Sequence, residues 1–109
     1  MDKLDKKWSD LVSLLEKKFN DRISLKGILY LIGVQELNMG TKKFDRDEKA
    51  DVLHVAVCKV LAPLGYYKFD HVDEEGWPHW KETKALKALD EKKQERLMKK
   101  AIINYLDHN

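Results

Sequence analysis

Apolar side chains recur at three- and four-residue intervals near the start of the chain. They are Leu4, Trp8, Leu11, Val12, Leu15 and Phe19. On a helix of 3.6 residues per turn this spacing places them on one side, while charged residues such as Asp10 and Lys17 fall on the other. The pattern predicts a first, amphipathic helix on the outside of the domain.

A second helix is predicted from Asp21 or Ser24 to Gly40. Either polar residue can accept the unpaired amide hydrogens of a first turn, and glycine adopts the left-handed conformation that ends many helices. The run from Gly27 to Val34 between them is apolar on every side. Such a run also suits a buried strand, but the longer apolar pattern favours a helix at the centre of a bundle.

The third predicted helix begins at Asp45, three residues before Glu48, which is a reciprocal capping box with Asp in place of Ser or Thr. Pro63 and Gly65 are expected to end it. One face is broadly apolar and consists of Val52, Leu53, Ala56, Val57, Val60 and Leu61. The opposite face is mixed and consists of Asp51, His54, Val55, Cys58 and Ala62.

Residues 65–80, GYYKFDHVDEEGWPHW, contain five of the ten aromatic side chains and show no helical period. We interpret this segment as a structured loop, with a short hairpin inside it as an open alternative. A last helix is predicted from about Thr83 to Leu106, with Leu86 among the apolar residues of its inner face. Its middle, residues 90–96, is polar and is expected to face solvent or to mark a bend.

These elements predict an all-α fold, a four-helix bundle-like single domain over residues 1–109 with an aromatic-rich loop capping one end. A chain of 109 residues suits one compact domain. The composition is 43% hydrophobic and 37% charged with only five Gly and two Pro, which is typical of a helical domain and argues against disorder. Five large aromatic side chains are costly to leave in water, so we expect them to fold back as a plug.

The charge is nearly balanced but unevenly distributed. A net charge of +2 with only three Arg gives little attraction for a polyanion, so nucleic acid is not the default partner. Residues 45–79 carry four basic and eight acidic side chains, whereas residues 81–100 carry eight basic and four acidic ones. These two patches are expected to face each other within one molecule or to pair between molecules. Weak nucleic-acid binding through the basic last helix is a third hypothesis.

The lone Cys58 cannot form an intramolecular disulfide, and this suits a reducing cytoplasm. The first ten residues contain no uninterrupted apolar run of the kind found in a signal peptide. The longest apolar run, Ile28 to Ile32, is far below the ~20 residues that span a bilayer. We therefore predict a cytoplasmic protein without a membrane partner.

Three groups of side chains are candidates for chemistry. Glu36 follows Leu25, Leu29 and Ile32 on one helical stripe, where desolvation would raise its pKa and make it an acid, a base or a metal ligand. The alternative is that Glu36 lies in the last turn and reaches water.

Asp51, His54 and Cys58 form the second group, since their spacing lets them contact one another or a metal. No known zinc signature has this spacing, and a histidine hydrogen-bonded in a core beside a small buried cysteine is the alternative. In the third group, His71 and His79 flank three acidic residues, which suits a divalent cation or a small ligand. The aromatic plug is the competing interpretation of that segment.

Motifs of common enzymes are absent from the sequence. It contains no Gly-rich phosphate loop, GxSxG, CxxC or HExxH, so we favour a non-enzymatic protein and assign no catalytic residue. The segment from Asp45 to Trp80, with DVLHVAVCKVLAPLGYYKFDHVDEEGWPHW at its centre, resembles a family of small helical bacterial proteins of uncharacterised function. The resemblance covers about a third of the chain and implies a bacterial cytoplasmic origin without implying an activity.

The leading functional hypothesis is a protein–protein interaction domain, either self-associating as a homodimer or binding another protein, that needs no cofactor. Its contact surface would be the mixed face of the third helix or the aromatic side chains Tyr66, Tyr67, Phe69, Trp77 and Trp80. The alternative is a small metal- or ligand-binding protein that uses Glu36, His54, His71 and His79.

Overall fold

The computed structural model describes residues 2–40, 42–84 and 88–108. Its elements in chain order are α1 (Lys3–Phe19), α2 (Leu25–Leu37), α3 (Arg46–Leu61), a 3₁₀ turn (Ala62–Leu64), β1 (Tyr67–Val72), β2 (Pro78–Glu82) and α4 (Glu91–Asp107). Within these described residues, no helix combines the length and the apolar character needed to cross a membrane.

The fold is mostly helical, but β1 and β2 pair into a two-stranded antiparallel sheet. The prediction of an all-α bundle capped by a loop is therefore wrong. Tyr67, Phe69 and His71 alternate with polar residues, and aromatic side chains at period two favour a strand. Gly76 supplies the positive φ of 90° that the connecting turn requires.

The hairpin is irregular at one position. The paired residues are Tyr67 with Glu82, Lys68 with Lys81, Phe69 with Trp80, His71 with His79 and Val72 with Pro78. Asp70 is the extra residue, so β1 advances two positions where β2 advances one. The bulge thus brings both the Phe69–Trp80 pair and the two imidazoles into cross-strand register.

The helix ends follow the capping chemistry of the sequence. Both halves of the predicted Asp45–Glu48 capping box are formed at the start of α3. The Ser24 side chain accepts the Gly27 amide hydrogen at the start of α2. The predicted end of α2 at Gly40 is wrong. The helix ends at Leu37, and the next residue, Asn38, adopts the left-handed cap conformation with φ at 50°.

The last helix begins later than predicted. Asp90 caps α4 by accepting the Lys93 amide hydrogen, while Thr83 still belongs to the hairpin end and donates its amide hydrogen to the Tyr66 carbonyl. Leu86 and Lys87, which the sequence assigns to this helix, lie outside the described residues.

The core consists of two clusters. The larger one joins α2, α3 and α4 through side chains that include Ile28, Leu61 and Ile102, and α1 covers it without burying any residue fully. The smaller one contains Leu37, Val52 and Val55, with Phe44, Trp77 and others packed against it. Because Trp77 belongs to this second cluster, it anchors the hairpin to α2 and α3.

Candidate functional site

A cleft of about 330 Å³ lies between α3 and the hairpin. Helix α3 lines it with Glu48, Asp51, His54 and Val55, and the hairpin lines it with Asp73, Glu75, Trp77, Pro78, His79 and Trp80. The mixed face of the third helix and the acidic aromatic segment, which the sequence presents as separate candidates, are therefore the two walls of one site. We call it the acidic cleft.

Four carboxylates line the acidic cleft, and none of the described Lys or Arg residues does. Asp51 and Glu75 are exposed and form no ion pair with any residue of the described ranges. A concave surface lined by one sign of charge concentrates its field, so the cleft attracts cations.

Asp73 holds the turn of the hairpin. Its Oδ2 lies 2.8 Å from Nε2 of His79, and its Oδ1 accepts the amide hydrogens of Trp77 at 2.9 Å and Glu75 at 3.0 Å. The hydrogen bond from His79, followed by those from the backbone, lowers the pKa of Asp73. The group therefore stays ionised at neutral pH and fixes one wall of the cleft.

The two tryptophans of the cleft are held by edge-to-face contacts. Trp77 packs against Phe44 with ring centroids 6.0 Å apart, and Trp80 packs against Phe69 at 5.4 Å. The indole nitrogen of Trp80 is buried and has no hydrogen-bond partner among the described residues. The rings are thus positioned before any ligand arrives.

The edge of the cleft already holds an ammonium group of the chain itself. Nζ of Lys42 lies 2.9 Å from Oε2 of Glu48, 5.6 Å from the Phe44 ring centroid and 5.9 Å from that of Trp77. The hydrogen bond from Lys42 lowers the pKa of Glu48. Carboxylates combined with aromatic faces are a favourable environment for a cation.

His71 and His79 stack with their planes 4° apart and their centroids 4.7 Å apart. The lone pairs of an imidazole lie in the ring plane, so two parallel rings at this separation do not converge on one ion. His71 also contacts Asp70 through Nδ1 at 2.9 Å. Within the described ranges, no three His, Cys, Asp or Glu side chains are placed to hold a metal ion.

The other predicted site residues lie apart from this pair. Glu36 is not in the cleft. It accepts a hydrogen bond from the Tyr105 hydroxyl at 2.5 Å and lies 3.5 Å from Nζ of Lys59. Of the four residues proposed to bind a metal together, only His54 and His79 line the same site.

Asp51, His54 and Cys58 do not act as one group. Nε2 of His54 lies 3.5 Å from Sγ of Cys58, whereas Asp51 faces the cleft with no hydrogen bond to either among the described residues. Cys58 is fully buried, and this burial raises the pKa of its thiol to about 11. The thiol is therefore protonated at neutral pH and is a poor nucleophile or metal ligand.

The predicted aromatic surface is also divided. Tyr66 and Tyr67 pack against the larger core cluster, while Phe69 remains 49% exposed. Trp77 and Trp80 line the cleft. Glu48 was recognised from the sequence only as a capping residue. It lies one turn before Asp51 on the same helix, and its carboxylate is part of the site.

Comparison of the chain with protein-family models, with curated proteins and with solved structures gives no match. The functional argument therefore depends on the geometry and charge of the cleft.

Proposed function

We propose that this protein is a non-enzymatic interaction domain whose acidic cleft binds a lysine or arginine side chain of a partner protein. The observation that carries the proposal is the lining of the cleft, in which four carboxylates and two tryptophans surround a space that no Lys or Arg of the described ranges lines.

An ammonium or guanidinium group that enters the cleft interacts favourably with both the carboxylates and the indole rings that line it. The carboxylates attract it by charge, and an indole face adds roughly 0.5–2 kcal/mol when the cation is within ~6 Å of the ring. The position of Lys42 at the edge, between Glu48 and Trp77, supports this preference because the chain itself places an ammonium there. A phosphate or carboxylate ligand would be repelled by the same walls.

The chemistry of the surrounding groups favours binding over catalysis. The carboxylate of Asp73 is occupied by the turn and by His79, and its lowered pKa makes it a weak base. The neighbouring thiol of Cys58 is protonated at neutral pH, since its pKa is about 11. Binding of a cationic side chain needs neither a nucleophile nor a cofactor.

The proposal is tested by titrating the protein with a short lysine-rich peptide that has blocked ends, using tryptophan fluorescence and calorimetry. The matched peptide with norleucine in place of every lysine keeps the four-carbon chain and removes the ammonium group. We expect saturable binding of the first peptide that weakens with salt, and no binding of the second. Equal binding of both peptides would contradict a charge-selective site.

Two double variants with the same change of net charge locate the site. Asp51→Asn combined with Glu75→Gln removes two carboxylates that line the cleft, and we expect about tenfold weaker peptide binding, or ~1.4 kcal/mol. Asp47→Asn combined with Glu74→Gln changes two neighbours on the same helix and the same turn that do not line it. Equal losses in the two variants would show that the peptide responds to overall charge and would refute the proposal.

A further inference from the structure

A second concave surface lies between α1 and α4. Its wider part, about 450 Å³, adjoins a narrower part of about 230 Å³, and both are lined by Lys7 and Ile103. Leu4, Leu97 and Ile103 give the wider part an apolar floor. We call this surface the basic groove.

The wider part of the groove has the opposite charge to the cleft. Of the residues that the structure describes, Lys3, Lys7, Arg96 and Lys100 line it and no carboxylate does, while Asp10 and Asp107 line the narrower part. Arg96 is already paired with Asp2 at 2.7 Å and Asp5 at 3.2 Å. The three lysines are exposed and form no ion pair with another described residue.

The two charged surfaces do not neutralise each other within one molecule. The basic groove and the acidic cleft share no residue and no helix or strand. Among the described residues, Lys81 with Asp70, at 3.8 Å, is the ion pair that joins the basic segment 81–100 to the acidic segment 45–79. Both surfaces are therefore open to a partner at the same time.

We propose that the basic groove of one copy docks on the acidic cleft of a second copy. This inference rests on the proposed function and identifies the partner as the chain itself. The carboxylates of the cleft, of which Asp51 and Glu75 form no ion pair among the described residues, meet a surface whose three lysines form none there either. The apolar floor between the lysines gives the contact a region that excludes water. Because each copy uses two different surfaces, the contact is heterologous and leads to a chain or a closed ring.

Charge-reversed variants test the pairing directly. Asp51→Lys with Glu75→Lys reverses the two carboxylates of the cleft that form no ion pair among the described residues, and Lys7→Glu with Lys100→Glu reverses two of the three such lysines of the groove. By sedimentation velocity at low salt, we expect the unaltered protein to grow with concentration, and each variant alone to dissociate at least about tenfold more readily. Mixing the two variants pairs the unaltered groove of the first with the unaltered cleft of the second, and the two reversed surfaces also complement each other, so growth with concentration should return.

A control and a rescue complete the design. Lys17→Glu with Lys26→Glu reverses two exposed lysines outside the groove and should leave the association unchanged. A variant that carries all four reversals has two lysines in the cleft and two glutamates in the groove, which complement each other, and should associate again. Circular dichroism establishes that each variant is folded before its mass is measured.

The outcomes separate this inference from the proposed function. A protein that stays monomeric at every concentration but binds the lysine-rich peptide overturns the self-association and leaves the proposed function intact. If the protein neither associates with itself nor binds the lysine-rich peptide, both the self-association and the proposed function are refuted. The pairing is also overturned if mixing the two variants does not restore association. It is likewise overturned if the protein stays monomeric and its groove instead binds single-stranded DNA, anionic vesicles or a glutamate-rich peptide.

Discussion

The hydroxyl of Tyr105 donates a hydrogen bond to Oε2 of Glu36 at 2.5 Å and thereby joins the C-terminal turns of α4 and α2. Lys59 of α3 approaches the other carboxylate oxygen at 3.5 Å. Burial, together with the neighbouring carboxylate of Glu36, raises the pKa of Tyr105 above its usual value, so the hydroxyl remains a donor at neutral pH. Three helices thus meet at one partly buried carboxylate.

Replacing Tyr105 with Phe removes this hydrogen bond and keeps the ring. Because a hydrogen bond to a charged group stabilises a protein by roughly 1.5–3 kcal/mol, and Glu36 is partly solvated, we expect a loss of about 1–2 kcal/mol in urea unfolding. Tyr66→Phe is the matched control, since Tyr66 also packs against the larger core cluster. Equal unfolding midpoints for the two variants would contradict this role of the hydroxyl.

Gly33→Ala tests the close approach of α2 and α3. A Cβ atom at this position would lie 2.3 Å from the carbonyl oxygen of Val52 and 2.7 Å from its Cγ1. We expect a net loss of roughly 1–3 kcal/mol from overpacking, although alanine favours a helix over glycine by ~1 kcal/mol. In Gly27→Ala the nearest atom is at 3.3 Å, so this control should be neutral or more stable in the same thermal unfolding assay.

The hairpin turn should respond to acid through Asp73. Its pKa is lower in the folded state than the ordinary value of 3.8, so the stabilisation is complete above that value and is lost as the pH falls through the folded-state pKa. Tryptophan emission followed between about pH 6 and pH 2 should report this opening. Asp73→Asn should flatten the acid transition, whereas Asp10→Asn should leave it in place. An unchanged profile in the first variant would argue against the assignment.

Cys58 should resist thiol reagents in the folded protein. With a pKa of about 11, about one thiol in a thousand is ionised at pH 8, and the side chain has no exposed surface. We expect labelling by a disulfide reagent at pH 8 to be at least about a hundredfold slower than for a free thiol. The rate should recover in urea, and fast labelling without urea would show that this face of α3 opens.

Untagged protein should retain no stoichiometric divalent ion after dialysis against zinc. The lone pairs of His71 and His79 lie in parallel ring planes and do not converge on one ion, and Asp73 already occupies Nε2 of His79. Elemental analysis of the unaltered chain and of His71→Ala with His79→Ala provides the measurement. One ion per chain that disappears in the double variant would restore the metal hypothesis.

Local chemistry was predictable from the sequence where a single segment determines it. The capping box of Asp45 and Glu48 and the apolar spacing of α1 involve neighbours within one or two turns. The start of α4 was missed because apolar residues before Asp90 extend the periodic pattern, although aspartate at that position is a good cap. The sequence left a hairpin within residues 65–80 as an open alternative, because strand pairing depends on non-local partners that no single segment determines.

The acidic cleft was visible in the sequence only as two halves. Asp51 and His54 were recognised on one helix face, and His79 and Trp80 in one acidic segment. That they face each other depends on how Trp77 packs into the smaller core cluster, which is a tertiary contact without a sequence signature. Glu36 was placed correctly in the last turn of its helix, but its bond to Tyr105 joins residues 69 positions apart.

The backbone contact at Gly33 also determines which wall of the cleft can move. Helices α2 and α3 touch there without an intervening side chain, so they form one closely packed, rigid pair. At its base the hairpin is held by Tyr67, which packs against the larger core cluster, and at its turn by Trp77, which packs against the smaller one. If the cleft widens to admit a bulky ligand, the hairpin must therefore be the wall that is displaced outward.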